Sequence, residues 1–173
     1  MTGMSERPTL RPATESDLPQ LVALPFSTGL PSKHRDRFAR QQQGQAVYVV
    51  AEAEGEIVGH VLLKWNGPEH PVVRALAPAC AEIEDFVVNP ALRGQGIGSA
   101  MLEYAANLSL DHGETHLGLG VGLGNPTARA LYERRGFALV SKSEHRVTWM
   151  ARDAQGREFE DHDDCVYLIK APG

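Results

Sequence analysis

Cysteine is nearly absent from this 173-residue chain. There are two, Cys80 and Cys165, far apart and without CxxC or His/Cys metal spacing. That excludes a disulfide scaffold or a zinc ribbon, so reduced cytoplasmic thiols and no metal are expected. No apolar run approaches the roughly 18 residues that span a bilayer. The opening MTGMSERPTL lacks the charged-then-apolar pattern of a secretory signal, so no membrane partner is expected. Basic residues are in deficit, 17 against 22 acidic, for a net charge of −5. Without a Lys/Arg stripe interleaved with aromatics, nucleic-acid binding is not expected either. No repeat, low-complexity tract or linker divides the chain. The expectation is one domain over residues 9–173 behind a flexible N-terminus, 1–8.

What is there reads as alternating strands and helices. Thr9 to Arg11 is a short strand, and the following helix has Thr14 at its N-cap with Asp17 completing a capping box. Pro25 to Gly44 mixes a turn with a polar helical piece. Val47–Ala53 and Ile57–Trp65 are β-branched runs joined by an EGE turn, a hairpin. CAEIEDFVV, Cys80–Val88, is a third strand, and THLGLGV a further one. Asn125 caps a helix whose first position is Pro126 and whose end is marked by Gly136. Strands over Ala138–Met150 and Cys165–Lys170 flank a polar loop. Its acidic run REFEDHDD (Arg157–Asp164) reads as solvated, or as a rim attracting a cationic substrate. Helices between successive strands predict an α/β fold, a central mixed β-sheet flanked by helices on both faces.

One stretch resists a purely structural reading. In NPALRGQGIGSAMLEYA, apolar residues take helical spacing from Ile97 through Met101 and Ala105, yet Gly94, Gly96 and Gly98 crowd its start. Each glycine inside a helix costs roughly 1 kcal/mol relative to alanine. A helix N-terminus carries unpaired N–H groups and about half a positive charge. An anion satisfies both if side chains are absent where the backbone meets it, and Arg93 adds a guanidinium. The spacing is neither a P-loop nor G-x-G-x-x-G, since Ser99 stands three residues after Gly96. What remains is R-x-x-G-x-G after a strand and opening a helix.

Together with NPTARALYERRGF at the expected distance, this pattern resembles the GNAT superfamily of N-acetyltransferases, with the likeness running from about Thr9 to Lys170. The resemblance implies an enzyme that transfers acetyl from acetyl-CoA to a primary amine by direct attack in a ternary complex. The amine is a small molecule or a peptide, and a homodimer is implied because many relatives form one. The alternative is a non-catalytic acyl-CoA-binding or sensing domain. It implies that the backbone of Phe86, Val87 and Val88 pairs with the pantetheine arm. Arg93, Gly94, Gln95, Gly96, Ile97, Gly98 and Ser99 cradle the pyrophosphate, Asn125 hydrogen-bonds the cofactor, and Tyr132 is the proton donor to the departing sulfur. Relatives that acetylate the N-terminus of a ribosomal protein carry a glutamate where this chain has Gly120, so any base comes from elsewhere.

The base is sought on the CAEIEDFVV strand. Alternation puts Glu82, Glu84, Phe86 and Val88 on one face and Ile83, Asp85 and Val87 on the other. Glu84 is nearest the expected thioester of the even-numbered pair, and Glu82 occupies a base-like position in some relatives. Either can take the amine proton through a water. Asp85 is a third candidate. The structural alternative is that these acids pair with Lys or Arg neighbours.

Overall fold

A computed structural model describes residues 6–173; the first five residues of the expected flexible terminus lie outside the described residues. In chain order, the strands are β1 Thr9–Pro12, β2 Ala46–Ala53, β3 Glu56–Lys64, β4 Ala81–Val88, β5 Leu117–Gly122, β6 Ala138–Leu139, β7 His145–Arg152 and β8 Glu158–Lys170. The α-helices are α1 Leu18–Val22, α2 Lys33–Gln42, α3 Pro71–Leu76, α4 Ile97–Asp111 and α5 Pro126–Arg134. The sheet runs β1-β2-β3-β4-β5-β8-β6, with β7 paired to β8. Every pairing is antiparallel except β4 with β5. That parallel pair is joined by the α4 crossover, as parallel neighbours require.

Alternation along β2 builds a core on each face. Val49, Ala51 and Ala53 join Ile97, Met101 and Ala105 of α4 and Tyr132 of α5. Tyr48 and Val50 pack on the other face with Leu18 and Leu21, against Phe38 of α2. The helices therefore cover both sides of a mixed sheet, as expected. α1 is entered through the expected capping acid. Asp17 accepts from the Thr14 N–H at 2.7 Å and pairs with Arg11 at 2.7 Å.

Two expectations need correction, and one helix adds to them. The acidic run is not a loop: Glu158–Asp164 belongs to β8 and is laddered to β7, with only residues 153–157 turning. This ribbon extends past β5, whose pairing ends at Cys165, so both of its faces meet polar surroundings and no apolar alternation marks it. The Ala138–Met150 strand is broken into β6 and β7. The proline-rich segment after β3 contains α3, with Pro71 at its first turn, where a missing N–H costs nothing.

Candidate active site

β4 is the axis of the site. It pairs with β5 only from Ala81 to Ile83, opposite Leu117 to Leu119; Glu84–Val88 and Gly120–Gly122 run on without pairing to each other. The parted strands leave the backbone groups on the β5-facing edge of β4 available to an extended ligand. On the β3 side the ladder carries one extra β4 residue. Leu62 pairs with Glu84 but His60 with Val87, and Asp85 takes a left-handed φ of 51°. This bulge shifts the alternation. Glu82 and Glu84 therefore do not share a face with Phe86 and Val88, as strict alternation had it. Phe86 and Val88 pack with Ile83 in the α4 core, while Lys64 and Leu62 stand beside Glu82 and Glu84 on the α2 side.

On the α4 side, the glycine loop follows directly. Gly94 and Gly96 have φ of 80° and 83°, which L side chains rarely adopt, and open space surrounds both α-carbons. Gly96 is the N-cap of α4 and offers no side chain to it, so the first-turn N–H groups stay available. Gly98 has a different reason: an added Cβ would meet Leu131 at 3.4 Å and Phe86 at 3.6 Å. Arg93 and Gln95 are exposed, Ser99 is half-buried, and Ile97 is sunk in the core, leaving only its backbone to a ligand. A diphosphate fits this mouth: it is exposed, uncapped, free of side chains at two successive turns, and led by a guanidinium. Asn125 is exposed, and its Oδ1 accepts from the Ala128 N–H at 3.1 Å, so its amide nitrogen is the part left for a ligand. Tyr132 is buried, 6% exposed, its ring edge-on to Phe86 at 5.9 Å and to Phe137 at 6.1 Å. Burial pushes its hydroxyl up to about 12, so it stays protonated.

On the other side of β4 lies a cavity of about 750 Å³, walled by the α1–α2 connection, α2, β4 and the β7–β8 ribbon. Glu82, Glu84 and Asp85 all line it. Glu82 is mostly buried. It accepts from the Tyr167 hydroxyl at 3.0 Å and pairs with Lys64 at 3.1 Å. Burial raises its pKa, against the pull of Lys64 and Tyr167. Tyr167 reaches it by crossing Gly118, where an added Cβ would lie 2.4 Å from the phenol oxygen. That contact accounts for one of the glycines in LGLGVG without any ligand. Glu84 is 42% exposed and 3.4 Å from Lys64. Asp85 is held by Arg37 and, at 3.0 Å, by Lys33. Burial raises its pKa, but Arg37 foremost outweighs burial and lowers it overall.

The structure thus divides the sequence candidates into two groups. Phe86, Val88, Gly98 and Tyr132 converge on one side of β4, and Glu82 with Glu84 on the other. Sequence reasoning missed Lys64, Lys33, Arg37, His60 and Tyr167. Lys64 left a signal, a lone charge closing the apolar run IVGHVLLK, but its partner Glu82 emerges only from the strand register. No group of three or more His, Cys, Asp or Glu among the described residues is placed to hold a metal ion.

Residues 16–137 match the Acetyltransferase (GNAT) family. The chain belongs to that family. Streptothricin acetyltransferase of Streptomyces lavendulae is 28% identical over 123 residues, 71% of this chain and 59% of that protein. The chain spans about 60% of the length of the curated relatives it matches first. Among solved structures, ribosomal-protein-alanine N-acetyltransferase from Brucella melitensis superposes with a TM-score of 0.65 at 24% identity, covering 94% of this chain and 99% of that one. A GNAT family acetyltransferase from Elizabethkingia anophelis with acetyl-CoA bound gives a TM-score of 0.60 at 18% identity, covering 96% and 99%. These GNAT structures share the fold. At the position where ribosomal-protein acetyltransferases are expected to carry an acid, Gly120 lines the cavity beside His145.

Proposed function

We propose that the chain is an N-acetyltransferase that joins acetyl-CoA and a primary amine in one ternary complex. The observation that carries this reading is the position of β4, with an anion-ready helix mouth and parted strands on one side and buried carboxylates on the other. Acetyl-CoA supplies an acetyl group activated as a thioester. The first-turn N–H groups of α4, with Arg93, hold its diphosphate, and the backbone of Phe86–Val88 holds the pantetheine arm. A β4 N–H facing the gap stabilises negative charge on the carbonyl oxygen. Tyr132 keeps its proton until the sulfur departs and gives it to the thiolate, and the proton the nitrogen loses on becoming an amide restores the phenol through solvent. Glu82, a carboxylate with a raised pKa, takes a proton from the incoming ammonium through a water, leaving the lone pair an attack needs. Glu84 shares that wall, while Asp85, tied to two cations, is a poor base.

Both thiols are buried and unpaired, which fits the cytoplasmic setting we propose, and among the described residues no helix is long and apolar enough to cross a membrane. The test is release of free coenzyme A thiol from acetyl-CoA against a panel of polyamines, aminoglycosides, amino acids and peptides. Amine-dependent release is expected. Coenzyme A binding without release by any amine would instead make the chain a non-catalytic acyl-CoA-binding domain.

A further inference from the structure

The cavity has two walls of opposite charge. On one, the Lys64 ammonium lies 3.1 Å from Glu82, 3.4 Å from Glu84 and 3.9 Å from Glu69, so three carboxylates face one cation. On the other, Lys33 and Arg37 of α2 both hold one oxygen of Asp85, so two cations face one carboxylate. Lys33 and Arg37 are each 15% exposed, and solvent screens their surplus poorly. Asp36 and Arg146, the other charges lining the cavity, are exposed, as is Glu69 at 64%, and screening weakens all three. Glu84 and Asp85 are consecutive, so the two walls meet at the β4 bulge.

A second observation falls on the same carboxylate. His60 is fully buried, and its Nδ1 has no hydrogen-bond partner. That nitrogen lies 3.6 Å from the Asp85 oxygen that Lys33 and Arg37 hold, while Nε2 is 2.9 Å from the Ser27 hydroxyl. Burial drives the His60 pKa down to about 3, so the ring is neutral. In the tautomer in which Ser27 donates to Nε2, Nδ1 carries the hydrogen and points it at the Asp85 carboxylate. A buried donor left unpaired forfeits the hydrogen bonds that water gave it. The Asp85 oxygen at 3.6 Å is the acceptor within reach of that hydrogen.

Building on the acetyltransferase reading, we propose that the acceptor is an amino carboxylate. Its amine lies among Glu69, Glu82 and Glu84, its carboxylate takes Lys33 and Arg37, and Asp85 passes to His60. The shared chemistry is an amine and a carboxylate on one molecule, either a free amino acid or the C-terminal residue of a peptide.

The experiment compares kcat/KM for lysine and ornithine with that for lysinamide, cadaverine and putrescine. A further arm uses short lysine peptides with free or amidated C-termini. The expected result is at least a ten-fold preference for the carboxylate in one arm, and the arm in which it appears identifies the source. Lys33→Met and Arg37→Met should shrink that ratio to within two- to three-fold, with coenzyme A affinity by calorimetry reporting that the variants are folded. If a variant does not fold, the ratio for the unaltered chain decides alone. Acetylation of cadaverine or lysinamide as fast as lysine, with no difference between the peptide termini, overturns this inference and leaves the acetyltransferase reading standing. Coenzyme A binding without release by any amine removes both.

Discussion

The two sides of β4 present different physics to a ligand. On the α4 side the donors are main-chain N–H groups at one helix end, and side chains matter mainly by their absence, at Gly94 and Gly96. On the α2 side almost everything is side chain: Lys64, Glu82 and Tyr167 form one charged chain, and Lys33, Arg37 and Asp85 another. A backbone cradle recognises one chemical group, a diphosphate, and a few adjacent residues complete it. A pocket of paired side chains can be retuned one residue at a time, and these six come from four elements, α2, β3, β4 and β8. On the proposed function, the difference separates a fixed cofactor half from an acceptor half that sets specificity.

The sharpest way to break this division is at Tyr132, which belongs to the cofactor half by packing and to the chemistry by proposal. Tyr132→Phe keeps the ring contacts with Phe86 and Phe137 and removes the proton. Turnover should fall roughly 100-fold or more, the usual scale for a lost general acid, with coenzyme A affinity within two-fold by calorimetry. Unchanged turnover would mean that the buried ring is core and nothing more. Glu82→Gln tests the acceptor half. Its raised pKa means that activity is lost as pH falls through that value, because the protonated acid accepts nothing. The variant should lose roughly 100-fold at neutral pH, and its pH–rate profile should lack the acidic limb. An acidic limb that survives in Glu82→Gln assigns the base to Glu84.

Backbone geometry is the next target. Gly96→Val forces a β-branched residue to φ near 83° at the N-cap of α4. Such strain costs about 1–3 kcal/mol, and with a side chain now at the helix mouth, coenzyme A affinity should fall about ten- to hundred-fold. The acceptor half predicts a subtler change. Lys64 is the strongest pull holding Glu82 below the value that burial alone would give it. Lys64→Met should move the acidic limb upward by about one pH unit, the lower end for a lost neighbouring charge, and Lys64→Arg should restore it. A limb that stays in place would show that Lys64 only fills the wall.

These two halves were also unequally legible in the sequence. The glycine loop at the helix mouth follows from residue type and local rules, while the roles of Asn125 and Tyr132 come from the resemblance of two short stretches to the family. The mixed sheet with helices on both faces likewise follows from helices placed between successive strands, while its strand order does not. The acceptor side depends on register, which no local pattern contains. One extra residue at Asp85 reverses which β4 side chains face α2, so strict alternation grouped Glu82 and Glu84 with Phe86 on the wrong basis. His60 lies within an apolar strand and reads as core until Ser27 and Asp85 arrive from elsewhere. The β7–β8 ribbon was missed for a related reason: its stability comes from cross-strand pairing, with charged pairs such as Arg146–Asp164 on its surface, so burial leaves no trace in its composition.

The smallest expected effect concerns what holds the acceptor half in place. Asp17 anchors the entry to α1, accepting from Thr14 and pairing with Arg11. The Arg11 hydrogen bonds lower its pKa to about 2, against an ordinary 3.8. For an acid depressed in the folded state, the stabilisation is present above the unfolded value and is lost as pH falls from about 4 towards 2. At about 1.4 kcal/mol per unit, and discounted because Arg11 is 31% exposed, the contribution is about 1–2 kcal/mol. Asp17→Asn should therefore destabilise the chain by that amount in urea at pH 7 and by much less near pH 2. Since the change loosens the α1–α2 side alone, the acceptor KM should rise while coenzyme A affinity holds. If coenzyme A affinity falls in step with the acceptor, the two sides of β4 are mechanically one, and the division drawn from their chemistry does not extend to their stability.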